Sequence, residues 1–420
     1  MFKTNNIILN FNKKKCIFPL YSCDNLKITT IEGIGNKTTS YNEIQKRLVQ
    51  NNGTQCGYCT PGFVMNMYSL LLEDAAPSKS KIESSFDGNI CRCTGYRSIL
   101  DSMKSFAADE RPIDIEELNK LKCLSGRESC SNKKKTISID HNKNVHIIKD
   151  GSEWFVPKNM NDLYTLLSQY QNQNYRIVAS NTSVGVYKNE GPYQSFINIR
   201  NIPDLYQITK TPSSITIGSQ TSLTKLVKIF DTFSNSSGFE YLSEISSYLN
   251  RIGNVSVRNV ASWAGNLEMK FNHNDFASDI FTILETINAN IKLVGPSVST
   301  PPIELTASKY LQTPHKGKII HSMIIKSFSK SNTIIKTYKI MPRSQNSHAY
   351  INAGFNFTFS NMDSLEIESC SIVFGGISSD FVHASKTENF LMKKSLRDEN
   401  VLTDSFIILN GELNPQEDPV

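Results

Sequence analysis

Four cysteines constrain this chain more than any other feature: Cys56 and Cys59 as a C-x2-C pair, then Cys91 and Cys93 as a C-x-C pair, with 31 residues between the pairs. Thiols at such spacing are metal ligands or disulfide partners, and any fold must bring two short segments to one place. The flanks read Gln55-Cys56-Gly57-Tyr58-Cys59-Thr60-Pro61-Gly62 and Asn89-Ile90-Cys91-Arg92-Cys93-Thr94-Gly95-Tyr96-Arg97. Gly57 and Gly62 allow close backbone approach to the sulfurs. The opening Met1-Phe2-Lys3-Thr4-Asn5-Asn6 is too polar for a secretory signal, so nine cysteines point to a reducing, cytoplasmic setting where thiols serve metals. Zinc is the rival occupant, but its sites usually pair C-x2-C with C-x2-C, and a C-x-C pair pinches two ligands closer. A 2Fe–2S cluster on four thiolates is the economical reading, and it makes electron transfer the expected role.

The cysteines fall in a helical stretch, residues 41–107. Phe63, Val64, Met67, Tyr68, Leu71 and Leu72 recur at helical spacing behind Pro61, with Thr60 as the expected cap. Ile99, Leu100, Met103 and Phe106 mark a second helix starting near Tyr96. Each cysteine pair thus precedes a helix, whose positive end and free N–H groups favour an anionic cluster. Residues 1–40 read as strands and turns, including Thr30-Ile31-Glu32-Gly33-Ile34-Gly35. Residues 108–150, with the Lys133-Lys134-Lys135 run and the isolated Cys123 and Cys130, read as a linker. An α+β region follows over 151–328. It holds a helix through Leu163, Leu166, Leu167 and Tyr170 capped by Asn161, and strands at 175–179, 196–199 and 214–217. A last lobe, 334–412, has strand-like runs at 353–357 and 371–374.

With 420 residues the chain is expected to form two to three domains. A net charge of +6 is too mild and dispersed for nucleic-acid binding, and no apolar run of membrane-spanning length exists. His273, His321 and His348 lack ligand-like spacing and read as surface or satisfied core residues.

The stretch Gln55–Arg97 resembles the second 2Fe–2S domain of the molybdenum hydroxylases, the family of xanthine dehydrogenase and aldehyde oxidase. The resemblance covers roughly residues 10–395 and is greatest to insect aldehyde oxidases. Two loops extend it: Ser180-Asn181-Thr182-Ser183-Val184-Gly185 after a strand, and Arg258-Asn259-Val260-Ala261-Ser262-Trp263-Ala264-Gly265-Asn266 with Asp279 beyond. They resemble the FAD-phosphate loops of the family's flavin domain, and Tyr338-Lys339-Ile340-Met341-Pro342-Arg343 and Phe374-Gly375-Gly376-Ile377 resemble its C-terminal lobe. The resemblance implies an α+β multidomain chain: a remnant ferredoxin-like segment, a helical 2Fe–2S domain, then a two-lobed, non-Rossmann FAD domain of the vanillyl-alcohol-oxidase and CO-dehydrogenase flavoprotein kind, ending in an α/β lobe. The absence of a G-x-G-x-x-G after any strand agrees with this. It further implies that Cys56, Cys59, Cys91 and Cys93 hold the cluster and that Ile177, Val178, Ala179, Ser180, Asn181, Thr182, Ser183, Val184, Ser262, Gly265, Asn266, Asp279 and Lys339 contact FAD. Gln55 and Cys93 would then lie near a molybdopterin carried by another domain or by a partner.

The chain departs from the family pattern in four places. Only Cys16 matches a ligand of the family's first cluster, so that cluster is expected to be missing. Residue 420 falls near the end of the flavin domain, so a truncated product, or a separate chain carrying the molybdopterin portion, is expected. Ser180 and Ala264 stand where the family favours glycine, and a Cβ there could crowd a phosphate or exclude a positive φ. After Arg343 the acidic stretch of dehydrogenase-type members is replaced by Ser344-Gln345-Asn346-Ser347-His348, which favours an oxidase. The expected function is the electron-transfer portion of an aldehyde oxidase-like enzyme, incomplete alone, with one cluster and one FAD and no catalytic residue of its own. Dimerisation is also expected. A non-catalytic homologue acting in assembly, or a portion of a xanthine dehydrogenase-like enzyme, is the alternative.

Overall fold

The computed structural model describes residues 2–4, 7–9, 27–108, 145–149, 151–187, 190–329, 331–343 and 346–415. Cys16, Cys23, Cys123, Cys130 and the Lys133–Lys135 run lie outside them. The chain divides into two compact units, residues 1–143 with 254–259, and residues 144–253 with 260–420.

The first unit carries strands β1 (Phe2–Thr4), β2 (Ile7–Leu9) and β3 (Lys27–Ile28) in one small antiparallel sheet. Five helices follow: α1 (Ile31–Ile34), α2 (Glu43–Gln50), α3 (Thr60–Glu73), α4 (Lys79–Ser85) and α5 (Arg97–Lys104). The turn-and-strand reading of residues 30–35 is corrected here. Ile31 and Ile34, three apart, share one side of a single helical turn and pack on the helical core. A capping box starts α2: the Asn42 side chain accepts from the Ile44 N–H (3.0 Å), and the Gln45 side chain accepts from the Asn42 N–H (2.8 Å). The cap of α3 is Cys59, not Thr60, whose hydroxyl instead lies 2.9 Å from that of Thr54. Phe63, Val64 and Met67 of α3 pack with Ile99 and Met103 of α5 and with Ile44 and Leu48 of α2 in one core. Each such side chain contributes about 1.5–3 kcal/mol by leaving water.

In the second unit, β4 (Val145–Lys149), β5 (Ser152–Val156), β6 (Tyr175–Val178) and β7 (Ser195–Asn198) form a mixed sheet of order β4-β5-β7-β6. Strand β4 corrects the linker reading at its C-terminal end. Residues 145–149 pair antiparallel with β5 across a turn where Gly151 takes φ +76°. The helix Met160–Tyr170 covers this sheet and is capped by Asn159 rather than Asn161, because the Asn159 side chain reaches the Asp162 N–H at 2.9 Å. A second, antiparallel sheet has order β11-β10-β12-β9-β8: β8 (Ile208–Lys210), β9 (Ser214–Gly218), β10 (Asn290–Val294), β11 (Ile303–Thr306) and β12 (Ile319–Lys326). Its apolar face packs on helices Leu223–Phe233, Leu242–Leu249, Trp263–Asn272 and Asp279–Thr286, forming the largest core.

The last sheet is the meander β13 (Thr333–Ile340), β14 (Ile351–Asn361), β15 (Glu366–Gly375) and β16 (Val382–His383). It lies so close to helix Asp279–Thr286 that a Cβ added at Gly354 would collide with Thr286. That approach sets Lys339 of β13 against Asp279.

Candidate functional site

The four cysteines are free thiols arranged as two contacting pairs. Cys59 lies in hydrogen-bond contact with Cys91, and Cys56 with Cys93. Local backbone explains the convergence. The Cys59 carbonyl accepts from the Gly62 and Phe63 N–H groups (3.1 and 3.2 Å), which seats this thiol at the start of α3. On the other side, Gly95 (φ +63°) and Tyr96 (φ +72°) turn the chain sharply before α5. The Tyr96 hydroxyl folds back to accept the Cys91 N–H (3.1 Å). Asn66 was not singled out by sequence reasoning. It is buried on α3 and donates to Ser85 O (2.8 Å) and Asn89 Oδ1 (2.7 Å), anchoring the segment that leads into Cys91.

Within the site, Cys91 is buried, Cys59 half-buried, and Cys56, Cys93 and Gln55 are exposed. A hydrogen bond with the Thr94 hydroxyl brings the Cys91 thiol down to about 7, while burial pushes Cys59 up to about 11. Cys59 also feels Cys56, and Cys93 also feels Cys91, so the four thiols share one site. Four thiols set two by two match a dinuclear cluster, in which each iron would take two thiolates. The donor set fits a 2Fe–2S cluster better than a single zinc.

The flavin residues expected from sequence lie in the second unit. Strand β6 ends at Val178 and runs into Ala179 and the buried Ser180; Asn181 adopts the left-handed conformation (φ +61°). Neither Ser180 nor Ala264 is among the described residues with positive φ, so their Cβ atoms impose no backbone strain. Among the described residues, the N–H groups of Asn181, Thr182 and Ser183 bond to no protein acceptor, whereas the next loop bonds run Val184 N–H to Asn181 O and Val186 N–H to Ser183 O. Consecutive free amides at a left-handed turn make an anion nest. Arg176 adds charge: its guanidinium donates to Ser183 Oγ (2.8 Å) and pairs with Glu190 (2.9 Å). Sequence reasoning took Arg176 for an ordinary strand residue. These groups fit a pyrophosphate. Val184 and Val186 beside them are exposed.

The remaining expected residues form a connected series. Ser262 caps its helix by accepting from the Gly265 N–H (3.1 Å), and Asn266 accepts from the Ser278 hydroxyl (2.6 Å), next to Asp279. Asp279 Oδ2 receives the Lys339 ammonium (2.7 Å), and its Oδ1 receives the Tyr248 hydroxyl (2.7 Å) and Asn352 Nδ2 (3.1 Å). The first loop approaches this series through Tyr187, whose ring stacks on His273 with centroids 3.6 Å apart. The neighbouring Ser219 and Thr221 hydroxyls are buried without a hydrogen-bond partner, and Ser222 bridges to Ser262. Unused donors beside the second loop are further polar groups available to a bound flavin.

Three family models match the chain: the [2Fe-2S] binding domain over residues 30–104, the FAD binding domain in molybdopterin dehydrogenase over 148–329, and the CO dehydrogenase flavoprotein C-terminal domain over 336–420. The chain belongs to the molybdenum hydroxylase family. An indole-3-acetaldehyde oxidase of Zea mays is 30% identical over 98% of the chain, and the abscisic-aldehyde oxidase of Arabidopsis thaliana is 28% identical over 96%. The chain spans about a third of the length of these relatives (32% of each). A carbon monoxide dehydrogenase from Hydrogenophaga pseudoflava shares the fold with a TM-score of 0.55 at 17% identity, over 65% of this chain and 90% of that one. The family's 2Fe–2S and FAD domains are therefore both present, and no described helix is long and apolar enough to cross a membrane.

Proposed function

We propose that this chain is the electron-transfer portion of an aldehyde oxidase-like molybdenum hydroxylase, an oxidoreductase that takes electrons from a molybdopterin site and delivers them to oxygen. The observation that carries the reading is the two-by-two convergence of Cys56, Cys59, Cys91 and Cys93 in the same chain as the free amides of Asn181–Ser183. When bound, the cluster would supply one-electron steps and the flavin would pair electrons for oxygen.

The chain's own residues bind and orient. Four thiolates hold the irons, Asn66 and Tyr96 hold the thiolate-bearing segments, and the N-terminal ends of α3 and α5 favour the negative charge. Asn181, Thr182 and Ser183 would hold the pyrophosphate, with the rest of 177–184 and Ser262, Gly265, Asn266, Asp279 and Lys339 completing the flavin site. Gln55 and Cys93, exposed beside Tyr58 (93% exposed) and Ile90 (74%), face a molybdopterin-bearing domain or partner. Apolar side chains so exposed around a charged cluster support a covered surface in the working enzyme. The protein works in the cytoplasm, in the family's dimeric form.

Anaerobic purification followed by iron and flavin quantitation tests the proposal. About two irons and one flavin per chain, both bleaching with dithionite, are expected. Protein that holds zinc alone, or no cofactor after iron–sulfide and FAD reconstitution, overturns it. Without a molybdopterin partner the chain is expected to turn over no aldehyde.

A further inference from the structure

The turn after Cys91 contains a hydroxyl whose orientation is fixed. Thr94 Oγ1 lies 3.1 Å from Cys91 Sγ and 3.2 Å from the Tyr96 backbone nitrogen. The Tyr96 N–H can only donate, so it occupies a lone pair on Oγ1. A metal-bound thiolate has no proton, so the hydroxyl hydrogen must point at sulfur. Tyr96 is itself held: its ring returns to place the hydroxyl 3.1 Å from the Cys91 N–H, and its left-handed backbone (φ +72°) aims the amide at Thr94. Cys91, Thr94 and Tyr96 thus close a small hydrogen-bonded ring.

The ring sits at the inner end of the cysteine site. Cys91 is 7% exposed, whereas Cys56 and Cys93 are open to solvent. Water can solvate the outer sulfurs in either redox state. At Cys91 water is excluded, and the Thr94 hydroxyl is a preset donor. A hydrogen bond to a cluster sulfur stabilises the more negative, reduced form, so it raises the midpoint potential.

We infer that Thr94 is a positioning and tuning residue for the cluster: through its hydroxyl bond to Cys91 Sγ it makes the cluster easier to reduce. The inference rests on the proposed function, since it requires that Cys56, Cys59, Cys91 and Cys93 carry 2Fe–2S.

The test is an EPR-monitored redox titration of the full chain, wild type against Thr94→Val and Thr94→Ser, each reconstituted to two irons. Thr94→Val is expected to shift the cluster potential to more negative values and Thr94→Ser to hold it near the wild-type value. The shift should be the same at pH 6.5 and 8.5, since no titrating group is removed. Equal potentials for wild type and Thr94→Val, or a serine variant that falls as far as the valine one, overturn the inference and leave the cluster reading standing. A wild-type chain that takes up no iron overturns both. Should Thr94→Val fail to load, Thr94→Ala takes its place in the titration: a more negative potential than wild type is expected, and an equal one overturns the inference.

Discussion

The Lys339 ammonium stands 2.7 Å from the Asp279 carboxylate with both side chains withdrawn from water, 1% and 7% exposed. Two buried charges cost several kcal/mol each to desolvate, and the pair persists because every polar atom is answered. Lys339 also donates to Arg251 O (3.1 Å), while Tyr248 and Asn352 donate to Asp279. Burial beside the Asp279 carboxylate holds the Tyr248 hydroxyl well above its ordinary range, so it stays a donor. Lys339→Met strands the carboxylate and should cost about 3 kcal/mol in urea unfolding. Adding Asp279→Asn should restore roughly half of that, since an amide oxygen still accepts from Tyr248 and Asn352 without a buried charge. No loss in the single variant would mean that the charges are solvated.

A second ionic pin joins the last sheet to the same helix. His383 of β16 donates to Glu285 (2.9 Å) and lies 3.0 Å from Glu388. Hydrogen bonds to Glu285 and then Glu388 push the imidazole up to about 10, against an ordinary 6.5. A group whose folded value is raised stabilises fully below its unfolded value. This contribution is therefore complete below about pH 6.5 and fades as pH rises towards 10. His383→Gln should lower stability by about 2 kcal/mol at pH 6 and by much less at pH 10. Denaturant midpoints at the two pH values check this, and parallel losses would refute it.

Asn66 holds the approach to Cys91, so its loss should appear in iron retention before it appears in activity. Asn66→Ala removes bonds to Ser85 O and Asn89 Oδ1 from a buried position and should cost about 1–2 kcal/mol. The reconstituted variant should also lose iron faster to a chelator than wild type. Unchanged release kinetics would show that the cysteine segments hold themselves.

What the sequence made legible was what local spacing dictates. The cysteine pairs, the stripe of α3 and strands β6, β7 and β9 are all encoded within a few residues. Cap positions are less legible: Asn161 carries the same side chain as the actual cap Asn159, and Cys59 caps α3 without any side-chain bond, so the adjacent Thr60 is the stronger local signal. Strand β4 was hidden because Val145-His146-Ile147-Ile148-Lys149 emerges from a polar stretch, and only pairing with β5 makes it a strand. Contacts between distant positions were not readable at all. Asp279 meets Lys339 across 60 residues and Glu285 meets His383 across 98, and no local period connects them. The resemblance grouped Asp279 with Lys339 as flavin contacts; that they pair with each other is visible only in the folded chain.

Arg176 offers the sharpest separation of phosphate recognition from structure. Its guanidinium bonds to Ser183 under the free amides of Asn181–Ser183 and is steadied by Glu190, both partners of the pair being 15–18% exposed. A charge so placed should act on the pyrophosphate of FAD and little on the isoalloxazine ring. Arg176→Gln, which keeps a donor for Ser183 but removes the charge, should weaken FAD binding by roughly tenfold, about 1.4 kcal/mol, in line with one lost charge-assisted hydrogen bond. Riboflavin has no phosphate, so its affinity should change little. Fluorescence titration of both ligands against wild type and variant gives the answer. Equal losses for FAD and riboflavin would mean that Arg176 shapes the loop, and no loss for either would place the phosphates elsewhere.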